Sequence, residues 1–174
     1  MTLGKGYVHV YTGTGKGKTT CALGLLLRAC GAGFRIFVAQ FLKSRDYSEL
    51  TALRRFDDLV TIRQYGTGTF VKGNPTDADR QAASAGFAET RKALMSGNYN
   101  LVILDEANVA VRYGLIPVDD LLGLIHDRPA GVELVITGRG ADPRIIEAAD
   151  LVTEMTEIKH YFKSGVRARV GIEK

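Results

Sequence analysis

A glycine-rich turn between an apolar strand and an apolar helix most restricts how this chain can fold. Residues 7–11 (YVHVY) are followed at once by TGTGKGKTT, residues 12–20, and then by an apolar segment that runs to Ala29. A strand that leads through closely spaced glycines into a helix presents successive backbone N–H groups at the helix N-terminus, where they bind phosphate oxygens. The pattern therefore predicts a phosphate-binding loop at the start of an α/β domain.

The side chains of this loop fit a nucleoside triphosphate. Lys18 provides a mobile cation for the outer phosphates, and Thr19 carries the hydroxyl that commonly ligates Mg²⁺ in such loops. The spacing departs from G-x-x-x-x-G-K-[ST], because Thr12 stands where a glycine is expected. The alternative is a turn that binds no ligand, but it would leave Lys16 and Lys18 unpaired beside a helix N-terminus, where cations are unfavourable. We therefore predict nucleoside triphosphate binding.

Composition and charge indicate one globular domain over residues 1–174. The chain is 45% hydrophobic, which is enough for a single core. It has no run of 18 apolar residues and no signal-peptide pattern, so we expect a cytoplasmic protein outside the membrane. Cys21 and Cys30 lie nine residues apart on one predicted helix, without metal-ligand spacing, and are expected to be small core residues.

The charge pattern gives little support to nucleic-acid binding. The formal net charge is +4, and basic residues cluster only in the C-terminal segment, where a phosphate-rich ligand or plain solvation explains them equally well. Because no aromatic-basic recognition motif appears, we do not expect nucleic acid as the main ligand.

Apolar runs of strand length alternate with segments of helical period along the chain. This alternation predicts an α/β fold, with a mostly parallel sheet of about six strands and helices on both faces. The predicted strands are 7–11, 35–41, 60–65, 101–104, 134–137 and 151–155. The predicted helices are 18–30, 48–56, 76–96, 118–126 and 143–149. Thr76 and Asp142 have the residue types of helix N-caps, and Pro143 suits a first helical turn.

Two further segments are expected at the ligand-binding edge of this sheet. The glycine-rich loop 66–74 follows a predicted strand and is interpreted equally well as a ligand contact or as a flexible connection. The apolar run 101–104 ends in Asp105 and Glu106, where Asp105 can hold Mg²⁺ through water. The alternative is that these acids cap a helix from Ala107 onward, but the upstream phosphate loop favours the metal site.

The sequence leaves the role of Glu106 open. It can activate water for attack on a γ-phosphate, which would make the protein a hydrolase, or it can ligate the metal alone. The histidines do not decide between these roles. His9 is expected at the core or edge of a strand, His126 suits a helix C-terminus, and the role of His160 is left open. No serine, cysteine or histidine arrangement indicates covalent catalysis.

Five segments, in this order, resemble the ATP:corrinoid adenosyltransferases of the BtuR/CobA type. They are TGTGKGKTT (12–20), VAQFLK (38–43), LDE (104–106), ITGRG (136–140) and the tail from residue 159 to residue 173. The resemblance covers nearly the whole chain. It implies a single-domain P-loop fold of the RecA-like kind, usually a homodimer. The implied reaction moves the 5′-deoxyadenosyl group of ATP to the cobalt of a reduced corrinoid and releases tripolyphosphate.

The resemblance also implies a set of site residues. Those matching the triphosphate loop are Gly13, Thr14, Gly15, Lys16, Gly17, Lys18, Thr19 and Thr20. Those around Mg²⁺ (or Mn²⁺) are Thr19, Asp105 and Glu106, and the catalytic set is Lys18, Lys16 and Glu106. Some members place a Phe-x-Trp pair against the corrin; this chain has no tryptophan, so Phe70 is the expected corrin contact. Arg28 and Arg139 match family positions as further binding residues.

The implied chemistry requires neither a general base nor a covalent group from the protein. Cobalt(I) is itself a strong nucleophile, so the protein has to align it with the 5′ carbon and neutralise the leaving triphosphate with Lys16, Lys18 and Mg²⁺. A reduced flavoprotein is the expected electron donor. A RecA-like P-loop ATPase or small-molecule kinase shares the loop and the acids, and it remains the alternative function.

Overall fold

The computed structural model describes residues 3–45, 47–68 and 73–173. Within these residues, six strands form one parallel sheet in the order β3-β2-β4-β5-β1-β6. The strands are β1 (Val8–Thr12), β2 (Ile36–Phe41), β3 (Val60–Tyr65), β4 (Leu101–Asp105), β5 (Glu133–Thr137) and β6 (Leu151–Glu154). The helices are α1 (Lys18–Gly31), α2 (Ser48–Leu53), α3 (Asp77–Met95), α4 (Ala107–Arg112), α5 (Val118–Asp127) and α6 (Pro143–Ala148). The predicted parallel α/β fold is therefore confirmed.

The central strands are mostly apolar and buried because helices cover both faces of the sheet. Alternate residues of β4 face opposite sides, as the strand period requires. Leu101 and Ile103 pack in the core cluster beneath α1, whereas Val102 and Leu104 pack in the cluster beneath α3, α4 and α5. Strand β6 lies at the sheet edge, and all its residues are exposed.

The predicted caps are confirmed. Thr76 and Asp79 form a reciprocal capping box at the start of α3, since the Thr76 hydroxyl accepts from the Asp79 N–H while the Asp79 carboxylate accepts from the Thr76 N–H. The Asp142 carboxylate accepts from the Arg144 N–H, and Pro143 occupies the first turn of α6. No helix in the described part of the chain is long and apolar enough to cross a membrane.

Two expectations about local structure need correction, and two short elements were missing from the predicted helices. The predicted helix 48–56 ends at Leu53 and continues as a 3-10 turn, Arg54–Phe56. Helix α4 begins at Ala107, where the alternative interpretation of Asp105 and Glu106 placed a helix, but the Glu106 side chain makes no capping hydrogen bond. Helix α4 and a second 3-10 turn, Tyr161–Ser164, were absent from the predicted helices because each is too short for a helical period to show. Cys21 is exposed rather than buried, because the buried stripe of α1 runs through Ala22 and its helical neighbours, about 100° away. Cys30 is buried as expected.

Candidate active site

A cleft of about 1130 Å³ lies at the carboxyl ends of the strands, where parallel sheets bind ligands. Strand β5 separates β1, which leads into the phosphate loop, from β4, which ends at Asp105. The cleft is lined by the phosphate loop and the start of α1, the segment after β2, Glu106, Arg139, His160 and the C-terminal residues Gly171, Ile172 and Glu173. The fold thus brings the predicted phosphate loop and Glu106 to one cleft.

The phosphate loop (residues 12–20) is held in a conformation that requires glycine. Gly13 and Gly17 have φ values of +94° and +117°, in the left-handed region. The chain after β6 packs directly on the loop, and the Gly15 N–H donates to the Met155 carbonyl at 2.6 Å. A Cβ atom on Gly13 would lie 2.5 Å from that carbonyl oxygen. These contacts explain why glycines, rather than small side chains, occupy this part of the loop.

Lys18 is buried inside the loop. Its Nζ donates to the carbonyls of Gly13 and Gly15 at 2.8 and 2.6 Å. Burial, and then the positive charge of Arg139, lower the pKa of the Lys18 ammonium, while Glu106 partly opposes the change. The ammonium group therefore lies at the centre of the loop, where phosphate oxygens would meet it.

Asp105 is the centre of a buried polar network at the end of β4, with an exposed fraction of 1%. Its Oδ1 accepts from the hydroxyls of Thr19 and Thr137 at 2.8 and 2.7 Å. Its Oδ2 accepts from the Lys43 ammonium at 2.7 Å and from the Gln40 amide at 3.3 Å. Thr19 and Asp105, which the sequence analysis assigned to one metal site, are thus in direct contact.

Glu106 turns out of the strand into the cleft. Its φ of +61° is rare for a residue other than glycine, and its N–H donates to the Thr137 hydroxyl at 3.0 Å. Its carboxylate makes no hydrogen bond to the described residues. Burial, and then the charge of Asp105, raise the pKa of the Glu106 carboxyl, while Lys43, Lys18 and Arg139 partly offset the rise. A strained backbone and a perturbed carboxyl in a cleft are typical of functional positions.

Lys43 belongs to the resembling segment 38–43 but was not predicted as a site residue, and it lines the cleft and contacts Asp105. It lies two residues after β2, beyond Leu42, whose φ of +60° redirects the chain into the cleft. Burial lowers the pKa of the Lys43 ammonium, but its contact with Asp105 and nearby acids raise it more, so the net pKa lies above its ordinary value. The pairing depends on β2 and β4 being neighbours, which no local sequence pattern reveals.

The other predicted residues are distributed as follows. Lys16, Thr20 and Arg139 line the cleft, whereas Thr14 is exposed outside it. Arg28 lies in the last turn of α1, ten residues after Lys18 and so about 15 Å along the helix, and does not line the cleft. Phe70 lies outside the described residues.

Of the three histidines, His160 lines the cleft, whereas His9 and His126 do not. His160 lines the cleft, and its Nδ1 accepts from the Phe162 N–H at 3.1 Å, capping a 3-10 turn. His9 lies outside the cleft, with its Nε2 2.6 Å from the Glu133 carboxylate. His126 is at the end of α5, as expected.

Comparisons with known proteins show the family of this chain. The family model described as ATP:corrinoid adenosyltransferase BtuR/CobO/CobP matches residues 4–173. A corrinoid adenosyltransferase of Pseudomonas aeruginosa is 39% identical over 170 residues, covering 97% of this chain and 84% of the relative. The corrinoid adenosyltransferase CobA of Salmonella typhimurium is 34% identical over 170 residues, covering 97% and 86%. The Escherichia coli K12 corrinoid adenosyltransferase is 33% identical with the same coverage.

A solved structure supports the fold independently. The crystal structure of a KaiC-like protein from Pyrococcus horikoshii aligns with 87% of this chain and 74% of its own, with a TM-score of 0.61 and 19% identity. At that identity the likeness shows the P-loop α/β fold alone. The family match spans nearly the whole sequence, and the curated relatives exceed 30% identity over most of their own length. The chain therefore belongs to the ATP:corrinoid adenosyltransferase BtuR/CobO/CobP family.

Proposed function

We propose that this protein transfers the 5′-deoxyadenosyl group of ATP to the cobalt(I) of a reduced corrinoid and releases tripolyphosphate. The observation that carries the proposal is a glycine-rich phosphate loop in contact with Asp105 through Thr19, within a chain that matches the adenosyltransferase family over residues 4–173. Cobalt(I) attacks the 5′ carbon with its own electron pair, so a cobalt–carbon bond forms as the carbon–oxygen bond to the triphosphate breaks. The departing tripolyphosphate takes the bonding electrons.

The protein's part in this step is positioning and charge neutralisation. Lys18 lies inside the phosphate loop, and Lys16 lies on its cleft side, so both face the expected position of the leaving group. Preorganised donors aimed at developing charge contribute a large share of catalysis in sites of this kind.

The donor set fits a magnesium ion, or manganese in its place. Thr19, Asp105 and Glu106 offer the hard oxygen ligands that Mg²⁺ prefers. Asp105 already accepts four hydrogen bonds, so we propose that it holds the ion through water while Thr19 and Glu106 approach it more directly. Among the described residues, no three acidic, histidine or cysteine side chains are grouped so that they could hold a metal ion by themselves. The remaining ligands would therefore be water and phosphate oxygens, which bound Mg²⁺ commonly retains.

Four further properties are proposed from the family resemblance. They are a homodimeric assembly, a reduced flavoprotein as electron donor, a cytoplasmic location and contact of Phe70 with the corrin. The exposed edge strand β6 and the apolar side chains after it, such as Ile158 and Phe162, are compatible with burial against another protein surface. Light scattering after size-exclusion chromatography would measure the assembly directly.

Phosphorus NMR of the reaction products tests the proposed function against the ATPase or kinase alternative. Adenosyl transfer predicts intact tripolyphosphate that appears only when both ATP and reduced corrinoid are present. Hydrolysis predicts ADP and phosphate without corrinoid, and a Glu106→Gln variant would then bind ATP without cleaving it. The curated relatives are named as corrinoid adenosyltransferases, so the alternative is not favoured.

A further inference from the structure

The C-terminal tail, residues 159–173, lies on the phosphate loop without joining the hydrophobic core. Its apolar side chains remain exposed: 72% of Phe162 and 78% of Val170 are accessible to solvent. Yet its last residues, Gly171 to Glu173, line the cleft. Since apolar burial does not hold the tail in place, its polar contacts must do so.

The contacts that the tail makes with the phosphate loop converge on Lys16. The Nζ of Lys16 donates to the Ile172 carbonyl at 2.9 Å and lies 3.6 Å from the Glu173 carboxylate. Lys16 is separated from these partners by more than 150 residues in sequence, and it stands between Gly15 and Gly17 of the phosphate loop. The tail therefore reaches one of the two lysines assigned to the triphosphate.

The Glu173 carboxylate is itself held inside the tail. It accepts from the Tyr161 hydroxyl, from the Arg169 N–H at 2.9 Å and from the Arg169 guanidinium at 3.2 and 3.3 Å. The guanidinium also lies over the Tyr161 ring, 5.1 Å from its centroid. Hydrogen bonds from Arg169, and then from Tyr161, lower the pKa of Glu173 to about 2, so the carboxylate is ionised at neutral pH. The Glu173 carboxylate therefore joins the end of the tail to Tyr161 and Arg169 within it.

This arrangement restrains the Lys16 side chain but leaves its ammonium group able to bind phosphate oxygens. Arg169 already pairs closely with Glu173, and Lys16 lies farther from that carboxylate. An ammonium group has three donors, so one bond to the Ile172 carbonyl leaves two for phosphate oxygens. An unrestrained lysine loses side-chain entropy when it binds phosphate, and a lysine that is already oriented loses less.

We propose that Glu173 is a positioning residue. It fastens the tail to the phosphate loop, so that the carbonyl of Ile172 orients the Lys16 ammonium toward the triphosphate. The inference rests on the proposed function, because that function identifies the ligand as a triphosphate. It adds that the C-terminal tail orients Lys16 before the ligand binds.

A double-mutant cycle tests the inference, with inorganic tripolyphosphate as the probe and calorimetry on the full chain. We expect Lys16→Met to weaken binding about tenfold or more, as for loss of a charge-assisted bond, and Glu173→Gln to weaken it about three- to tenfold. If Glu173 acts through Lys16, the double variant binds no more weakly than Lys16→Met alone. A merely structural role would instead make the two losses add.

Glu89→Gln is the matched control, because Glu89 is a carboxylate that pairs with Arg63 at 3.5 Å, contacts no residue of the tail and does not line the cleft. Its affinity for tripolyphosphate should equal that of the wild type. Wild-type affinity in Glu173→Gln, or an equal loss in both Lys16 backgrounds, would overturn the inference. Tripolyphosphate binding needs no corrinoid, so a protein that shows the coupling but transfers no adenosyl group would refute the proposed function and leave this inference standing.

Discussion

Replacing Lys43 by methionine tests the buried network that joins the two halves of the site. Methionine keeps most of the volume of the lysine stem but removes the cation that lies 2.7 Å from Asp105. Breaking a buried ion pair by removing one partner costs about 3–5 kcal/mol, because the remaining charge stays buried. We expect the lower end, about 3 kcal/mol, since Asp105 keeps the hydrogen bonds from Thr19, Thr137 and Gln40.

Urea denaturation and thermal melting without added metal measure this cost. For a domain of this length, about 3 kcal/mol corresponds to a decrease in Tm of roughly 6–12 °C. Lys163→Met is the control, because Lys163 forms a comparable ion pair with Glu157 while 76% of its side chain is exposed. Exposed pairs contribute less than about 1 kcal/mol. The reasoning is refuted if Lys43→Met is no more destabilising than Lys163→Met.

Three other predictions concern packing, pH dependence and catalysis. Gly86→Ala would place a methyl group 2.3 Å from the Tyr65 ring and should lower the free energy of unfolding by about 1–3 kcal/mol. A Cβ atom on Gly123 meets no atom within 4 Å, so Gly123→Ala should raise the free energy of unfolding by about 0.5–1 kcal/mol. Thermal melts of the two variants test both expectations. Because the folded-state pKa of Glu106 is raised, the stabilising contribution of its neutral form is present at low pH and is lost as the pH rises through that pKa. Glu106→Gln should therefore be more stable than the wild type in urea at neutral pH. Equal stability of the two proteins at neutral pH would contradict the raised pKa. Lys18→Met should lower kcat/KM for ATP about 10²–10³-fold, and unchanged kinetics would exclude Lys18 from the transition state.

Local patterns in the sequence account for most of the fold. Strands appear as short apolar runs because the sheet is covered on both faces, and the caps at Thr76 and Asp142 are recognisable from residue type alone. The phosphate loop was predictable for the same reason, since its glycines and Lys18 are contiguous in sequence.

The contacts that complete the site were not predictable, because each joins distant parts of the chain. The pairing of Lys43 with Asp105 follows from the sheet order, and no local pattern shows which strand lies next to β4. The contact of Lys16 with Ile172 spans almost the whole chain. The exposure of Cys21 was not predicted for another reason. Helix α1 has a buried stripe, and whether a single small residue such as Cys21 lies within that stripe depends on the exact rotation of the helix about its axis.

The central claim is the transfer of an adenosyl group to cobalt, and anaerobic absorption spectroscopy tests it most directly. The protein is mixed with ATP, Mg²⁺ and a chemically reduced cobalt(I) corrinoid, and the spectrum is followed beside a reaction without enzyme. The account predicts enzyme-dependent loss of the cobalt(I) band and growth of a light-sensitive alkylcobalt spectrum, with one tripolyphosphate formed for each alkylcobalt. A spectrum that does not differ from the enzyme-free reaction, while ATP is shown to bind, would contradict the account.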